Sequence, residues 1–329
     1  MLNQSVIDPS GGAFKRVQPR RQASGATHSI ALDRTVELAG ARQVRCRLSG
    51  KSSSPLAIVL GGISADRRID RWWPEVTGVR GALSGDSFRR LSLDWPVAGD
   101  GGTMGVDDFA DLLAEVLDAL DIARVPALVG ASFGAMVGLA FAARHPERIG
   151  RLIAISGAHR STPAATAGRL MQRRIIESLA SLGDPARGVA LARSLALTSY
   201  RPAGLFDRRF YDIDPEKTLA GLERYFEHNG ACFAERFDAE RYLALSAALD
   251  RHCVDPQAIR CRTELIGVTS DDLVPVSQLR ELAGAIGIRA RLHLVDSPFG
   301  HDAFLKSTRL LDPLLARLLA DPAGGDEHV

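Results

Sequence analysis

The stretch from Val125 to Ala143 constrains this chain more than any other. It runs nineteen residues without a charge, between Arg124 and Arg144, which approaches the length of a membrane-spanning helix. Pro126, Ser132 and three glycines (Gly130, Gly134 and Gly138) interrupt it. A short buried strand over Val125–Val129, a Gly-Ser turn and a buried helix divide the run better than a single span does.

The remaining pattern alternates strand and helix, as in a mostly parallel sheet covered on both faces. Leu56–Leu60 is a continuous apolar run stopped by Gly61-Gly62, which suits a central strand, and Phe88–Leu93 is a weaker strand candidate. Val106, Phe109, Leu112, Leu113, Val116, Leu117 and Leu120 recur at three- and four-residue steps and predict an amphipathic helix over 106–121. Leu152–Ile155 is a further strand. From about His159 to Asp250 the pattern becomes helix-rich and arginine-rich, with no convincing buried strand. Alternation resumes with Thr263–Val268, a helix near 276–286, Arg291–Val295 and a final helix from Asp302 to Ala320. The expected organisation is a polar lead-in over 1–30, an α/β core over 31–158 and 251–320, and a frayed tail over 321–329. A helical cap over 159–250 is expected above the carboxyl edge of the sheet.

Composition narrows the function classes. Apolar residues make up 46% of the 329-residue chain and charged residues 24%, a globular balance, and the net charge of +2 provides no basic footprint for nucleic acid. Cys46, Cys232, Cys253 and Cys261 are scattered and form no C-x-x-C pair, so the expectation is reduced thiols in the cytoplasm and no metal site. Lys15, Arg16, Arg20 and Arg21 precede no apolar segment of the kind a secretory signal needs.

The chemistry is carried by Gly130-Ala131-Ser132-Phe133-Gly134, a G-x-S-x-G set between a strand and a helix. A sharp turn there strains the serine backbone and lifts Oγ to the top of the sheet. The competing reading is a glycine-rich packing turn holding an incidental serine. A serine hydroxyl needs a base, and in this arrangement an acid and then a histidine follow at later strand ends. Asp271 and Asp272 stand at the end of Thr263–Val268; Asp271, four residues before Pro275, is the chosen acid and Asp272 the reserve. His301 follows Arg291–Val295 with a glycine before it and a helix after it, which none of the seven other histidines combines. Two backbone N–H groups are needed for an oxyanion: Phe133 supplies one, and Ile63, in the loop after Leu56–Leu60, is the choice for the other.

These residues resemble the homoserine O-acyltransferases of the α/β-hydrolase fold through most of 55–320. Gly300-His301-Asp302-Ala303-Phe304-Leu305 is similar to the family's Gly-His-Asp-Ala-Phe-Leu segment, and Arg236-Phe237-Asp238-Ala239 with Tyr242 to its Arg-Phe-Asp-Ala/Ser…Tyr stretch. Met171-Gln172-Arg173-Arg174-Ile175-Ile176 resembles its Gln-Arg-Gln-Ala-Ile helix, and Ile63-Ser64-Ala65-Asp66 with Trp72-Trp73 its Leu-Thr-Gly-Asp loop and Trp-Trp pair. The resemblance implies an α/β-hydrolase sheet with a helical cap, and ping-pong transfer from an acyl-CoA co-substrate, with no resident cofactor, to homoserine in methionine biosynthesis. It also implies a homodimer built through the cap. Arg173 would clamp the acceptor carboxylate, Asp302 would hold its ammonium, and Tyr200 would stand near its hydroxyl. On residues alone, Arg173 with Arg174 reads as a solvated helix face and Asp302 as a helix cap.

The sequence also departs from the family. The elbow has Gly-Ala-Ser-Phe-Gly-Ala-Met for the usual Gly-Gly-Ser-Met-Gly-Gly-Met, and Asp94-Trp95-Pro96-Val97-Ala98-Gly99-Asp100-Gly101-Gly102 replaces an Asn-x-x-Gly-Gly loop. Acetyl and succinyl both stay open as the acyl group, and homoserine and serine as the acceptor. Arg67 and Arg68 read as a solvated pair, with a succinyl carboxylate as the alternative partner. The competing functions are an esterase using the same triad and a non-catalytic ligand-binding protein.

Overall fold

The computed structural model describes residues 31–38, 42–97 and 104–321. The expected lead-in, the tail after Asp321 and residues 98–103 lie outside these described residues. Eight strands form one sheet in the order β1-β2-β4-β3-β5-β6-β7-β8. They are β1 (Ala31–Leu38), β2 (Arg42–Ser49), β3 (Leu56–Leu60), β4 (Arg89–Leu93), β5 (Val125–Ala131), β6 (Ile149–Ile155), β7 (Arg262–Val268) and β8 (Ala290–Val295). β2 runs antiparallel to both β1 and β4, and every other neighbouring pair is parallel.

The central strands read as unbroken apolar runs because both faces are covered. Ile58, Leu60, Leu128, Leu152 and Leu265 point into one core, and Val59, Val129, Ile153, Ile155 and Ile266 into the other. α1 (Ile69–Trp72) and α2 (Pro74–Thr77) follow β3, and α3 (Val106–Ala119) and α4 (Phe133–Arg144) flank β5. Between β6 and β7 come α5 (Pro163–Ser181), α6 (Pro185–Tyr200), α7 (Ala203–Phe210), α8 (Pro215–Ala234) and α9 (Ala239–Asp250). α10 (Val276–Ile286) joins β7 to β8, and α11 (Ala303–Lys306) and α12 (Thr308–Ala320) close the chain. The first core packs against α3, α4 and α10, the second against α1, α2, α11 and α12.

Two differences from the sequence reading have physical causes. β1 and β2 went unread because only one of their faces is buried. Val44, Cys46 and Leu48 alternate with arginines, a period-two signal that the charges dilute. The final helix is two helices because Ser307 leaves helical geometry (φ −108°, ψ 37°) and its hydroxyl lies 2.7 Å from that of Ser297.

The five-helix insertion leaves the sheet through a narrow neck. Val254 donates its N–H to His159 O at 2.8 Å, and Arg160 and Cys253 form an isolated bridge. Beside them the buried His252 ring donates Nε2–H to Ala158 O at 2.8 Å, and its Nδ1 has no partner among the described residues. Burial pushes the His252 pKa from 6.5 down to about 4, so the folded state holds this ring neutral. The unfolded chain takes up a proton first, and stability is therefore lost as pH falls from 6.5 towards about 4. The loss should reach up to about 3 kcal/mol. Denaturant titrations at several pH values should show this part of the acid sensitivity missing in His252→Gln; an identical pH slope in both proteins would refute it.

Candidate active site

The catalytic geometry begins where β5 turns into α4. Ser132 stands between them at φ 54°, ψ −116°, a region serine enters only under constraint. Its N–H is held by Ile155 O at 2.8 Å, and its carbonyl accepts from Ala135 and Met136 at 2.9 and 3.1 Å. The tight approach demands the last glycine of the motif: a β-carbon on Gly134 would lie 2.4 Å from Leu60 O. With that contact allowed, Gly134 N–H donates to Gly61 O at 2.9 Å, tying α4 to the loop after β3.

Because β3, β5, β7 and β8 are parallel, their carboxyl ends meet at one edge of the sheet. There His301 Nε2 lies 2.8 Å from Ser132 Oγ, and His301 Nδ1 lies 2.8 Å from Asp271 Oδ2. Asp271 Oδ1 accepts from the N–H groups of Leu273 and Val274, both at 3.0 Å. The fold thus brings Asp271, buried, to the imidazole and leaves Asp272 exposed. With Nδ1–H donated to Asp271, Nε2 is free to take the serine proton. Burial alone would lower the His301 pKa; the charge and hydrogen bond of Asp271, aided by Asp302, outweigh it and hold the pKa above 6.5.

The loop after β3 comes close to the serine. The position a Gly62 β-carbon would fill is 3.9 Å from Ser132 Cβ. Neither Ile63 N–H nor Phe133 N–H has an acceptor among the described residues. Trp95 Nε1–H and Ala65 N–H both donate to Gly62 O, at 3.0 and 2.9 Å. The C=O and the next N–H share one rigid plane, so these bonds also fix the direction of Ile63 N–H. Trp95 in turn packs edge-on against Phe133 at 4.8 Å, and Phe109 meets Phe133 at 5.3 Å.

The insertion reaches the site through the end of α6. The Tyr200 ring lies 5.7 Å from the His301 ring, and burial pushes the phenol pKa up. Gly300 has φ +55°, and a β-carbon there would meet Tyr200 O and Pro202 Cδ, both at 2.7 Å. Arg201 Nε donates to Asp302 Oδ2 at 2.8 Å, and its Nη1 donates to the Tyr225 hydroxyl. Asp302 is therefore buried beside the base in an ion pair, and its side chain makes no helix-capping bond.

Arg173 lies within the insertion, where its guanidinium donates to Ser246 Oγ at 2.9 Å and pairs with Asp250 at 2.6 Å. Only Arg174 is exposed as on a solvated face. Arg67 is not solvated: it pairs with Asp94 at 2.9 Å and Asp33 at 3.3 Å, tying β1 and the β4 end to the loop. Sequence reasoning missed the parts that Trp95 and Arg201 play here; Trp95 stood out along the chain only as a departure from the family's loop. Among the described residues no cluster of His, Cys, Asp and Glu could hold a metal ion. No helix among them is long and apolar enough to cross a membrane.

A family model for the alpha/beta hydrolase fold matches residues 79–308. The homoserine O-succinyltransferase of Xanthomonas campestris pv. campestris is 39% identical over 297 residues, spanning 85% of this chain and 80% of that protein. The L-serine/homoserine O-acetyltransferase of Streptomyces lavendulae is 35% identical, spanning 66% of this chain and 67% of its own. The solved structure of homoserine O-acetyltransferase from Bacillus anthracis shares the fold, with a TM-score of 0.77 over 90% of this chain and 98% of that one at 14% identity.

Two outcomes follow from the geometry. A base must be neutral, so activity should rise with pH through a limb above 6.5, the ordinary histidine value. Asp271→Asn should move that limb lower and cut kcat about 10³- to 10⁴-fold; a wild-type limb below 6.5 would contradict the assigned environment. Gly134→Ala should cost about 1–3 kcal/mol in chemical denaturation, since Leu60 backbone must move; full stability would mean the contact is not tight.

Proposed function

The chain belongs to the homoserine O-acyltransferases of the alpha/beta hydrolase fold, and we propose that it acylates the hydroxyl of L-homoserine by ping-pong transfer from an acyl-CoA. The observation that carries the mechanism is the relay from Ser132 through His301 to Asp271, with both contacts at 2.8 Å. His301 takes the Ser132 proton as Oγ attacks the thioester carbonyl, and the N–H groups of Phe133 and Ile63 meet the charge formed on oxygen. The C–S bond breaks, His301 returns the proton to the departing thiolate, and an ester remains on Ser132. The homoserine hydroxyl then gives its proton to His301 and attacks that ester. The bond to Ser132 breaks and the serine recovers its proton.

Asp302 receives the acceptor's ammonium, Arg173 its carboxylate, and Tyr200 borders its hydroxyl. The insertion keeps water from the acyl-enzyme, which would otherwise hydrolyse as in an esterase. Succinyl is the group named for the relative at 39% identity, and acetyl the one named for the relative at 35%. The product is an O-acylhomoserine for methionine biosynthesis. The enzyme needs no resident cofactor, and its four free thiols suit the cytoplasm. Leu170, Met171, Leu191 and Leu195 are large apolar residues exposed on α5 and α6, and they support a homodimer built through the insertion.

Thiol release from acetyl-CoA and succinyl-CoA, measured with homoserine, serine or no acceptor, tests the reading. Release should depend on homoserine and yield its O-acyl ester, and Ser132→Ala should lose activity by about 10³-fold or more. Strong ester hydrolysis with no acceptor-dependent release would overturn transfer in favour of an esterase, and an unaffected Ser132→Ala would remove the nucleophile. Light scattering should give the mass of two chains; a monomer at micromolar concentration would refute the dimer.

A further inference from the structure

α6 carries a half-buried cation beside its buried stripe. Val189, Ala192, Ala196 and Leu197 are buried, and Arg193 lies one turn after Val189 and one turn before Leu197. Its guanidinium carbon stands 4.8 Å from the centre of the Phe233 ring and 5.4 Å from that of Tyr200. Tyr200 is the residue whose ring lies against His301. Arg193 therefore sits one aromatic ring away from the catalytic base.

The other arginines near the site each have a carboxylate partner. Arg169 and Arg173 share Asp250, and Arg201 pairs with Asp302. Arg193 has no carboxylate within ion-pair distance among the described residues. Its charged neighbour is a second cation, Arg236, which approaches the same Phe233 ring at 5.9 Å. Burial, and after it the charge of Arg193, lowers the Arg236 pKa.

An aromatic face attracts a guanidinium, but it cannot satisfy the planar fork of N–H donors or cancel a like charge. A carboxylate does both. We propose that Arg193 is the receptor for a carboxylate carried by a substrate of the transfer, held across Tyr200 from His301. The inference rests on the acyl-transfer reading. Two substrates can bring such a group, a dicarboxylic acyl chain such as succinyl through its terminal carboxylate, or the amino-acid acceptor through its α-carboxylate. The acyl source would make Arg193 the residue that selects the donor, and the acceptor source would add a second cation to Arg173.

The test compares wild type, Arg193→Leu and Arg193→Lys in kcat/KM for succinyl-CoA against acetyl-CoA, and for homoserine against 3-amino-1-propanol, which lacks the carboxylate. Losing a charge-assisted fork should shrink one preference about 10- to 100-fold in Arg193→Leu, mainly through KM. Collapse of the succinyl preference identifies the acyl chain, and collapse of the homoserine preference identifies the acceptor. Lysine keeps the charge without the fork and should fall between, which preserves the test if the leucine variant does not fold. If neither ratio moves by more than about threefold in a folded variant, the receptor role is overturned. A wild type that acylates no acceptor sinks the transfer reading instead. Thermal midpoints with added succinate or homoserine then decide the site separately: a rise in wild type that Arg193→Leu lacks supports it, and no rise in wild type overturns it.

Discussion

A β-carbon at position 134 would overlap the Leu60 backbone, and because glycine has none, the amino end of α4 can come within hydrogen-bonding distance of the loop after β3. Much of the site depends on that approach. It goes with the strained conformation of Ser132 and with a loop so close that a β-carbon at Gly62 would touch the serine. The strain is borne by two buried cores, one on each face of the sheet, which hold β3 and β5 in parallel register.

The two departures from the family pattern become one packing unit in three dimensions. Phe133 replaces the usual methionine after the nucleophile, and Trp95 stands in the loop that usually begins Asn-x-x-Gly-Gly. Their rings meet edge to face, and the Trp95 indole reaches on to Gly62 O. A bulkier residue beneath the elbow is thus matched by a neighbour that also braces the oxyanion loop. Position 133 cannot be read apart from position 95.

Much of this was legible along the chain because it is local. The strand ends and the glycines flanking Ser132 and His301 are separated by few residues, and backbone sterics dictate them directly. The choice between Asp271 and Asp272 was not local, since it turns on which carboxylate is buried against an imidazole thirty residues away. Arg67 was misread as a solvated group for the same reason, and the ion pair of Arg173 could not be foreseen either. Their partners, Asp33, Asp94, Ser246 and Asp250, are distant in sequence, and no spacing rule links them. β1 and β2 escaped because an edge of a sheet has only half the apolar signal of its centre.

Gly300 accepts Tyr200 and Pro202 at a distance no other residue would allow, and Arg201 is clasped by Asp302 on the far side of His301. The roof is therefore fastened to the two residues that bracket the base. Any displacement of residues 200–202 is transmitted to the imidazole, which needs sub-ångström placement to pass a proton. Moving residues 200–202 away from the serine would then also disturb its base. Fidelity to the amino-acid acceptor would arise from this linkage without a dedicated step that rejects water.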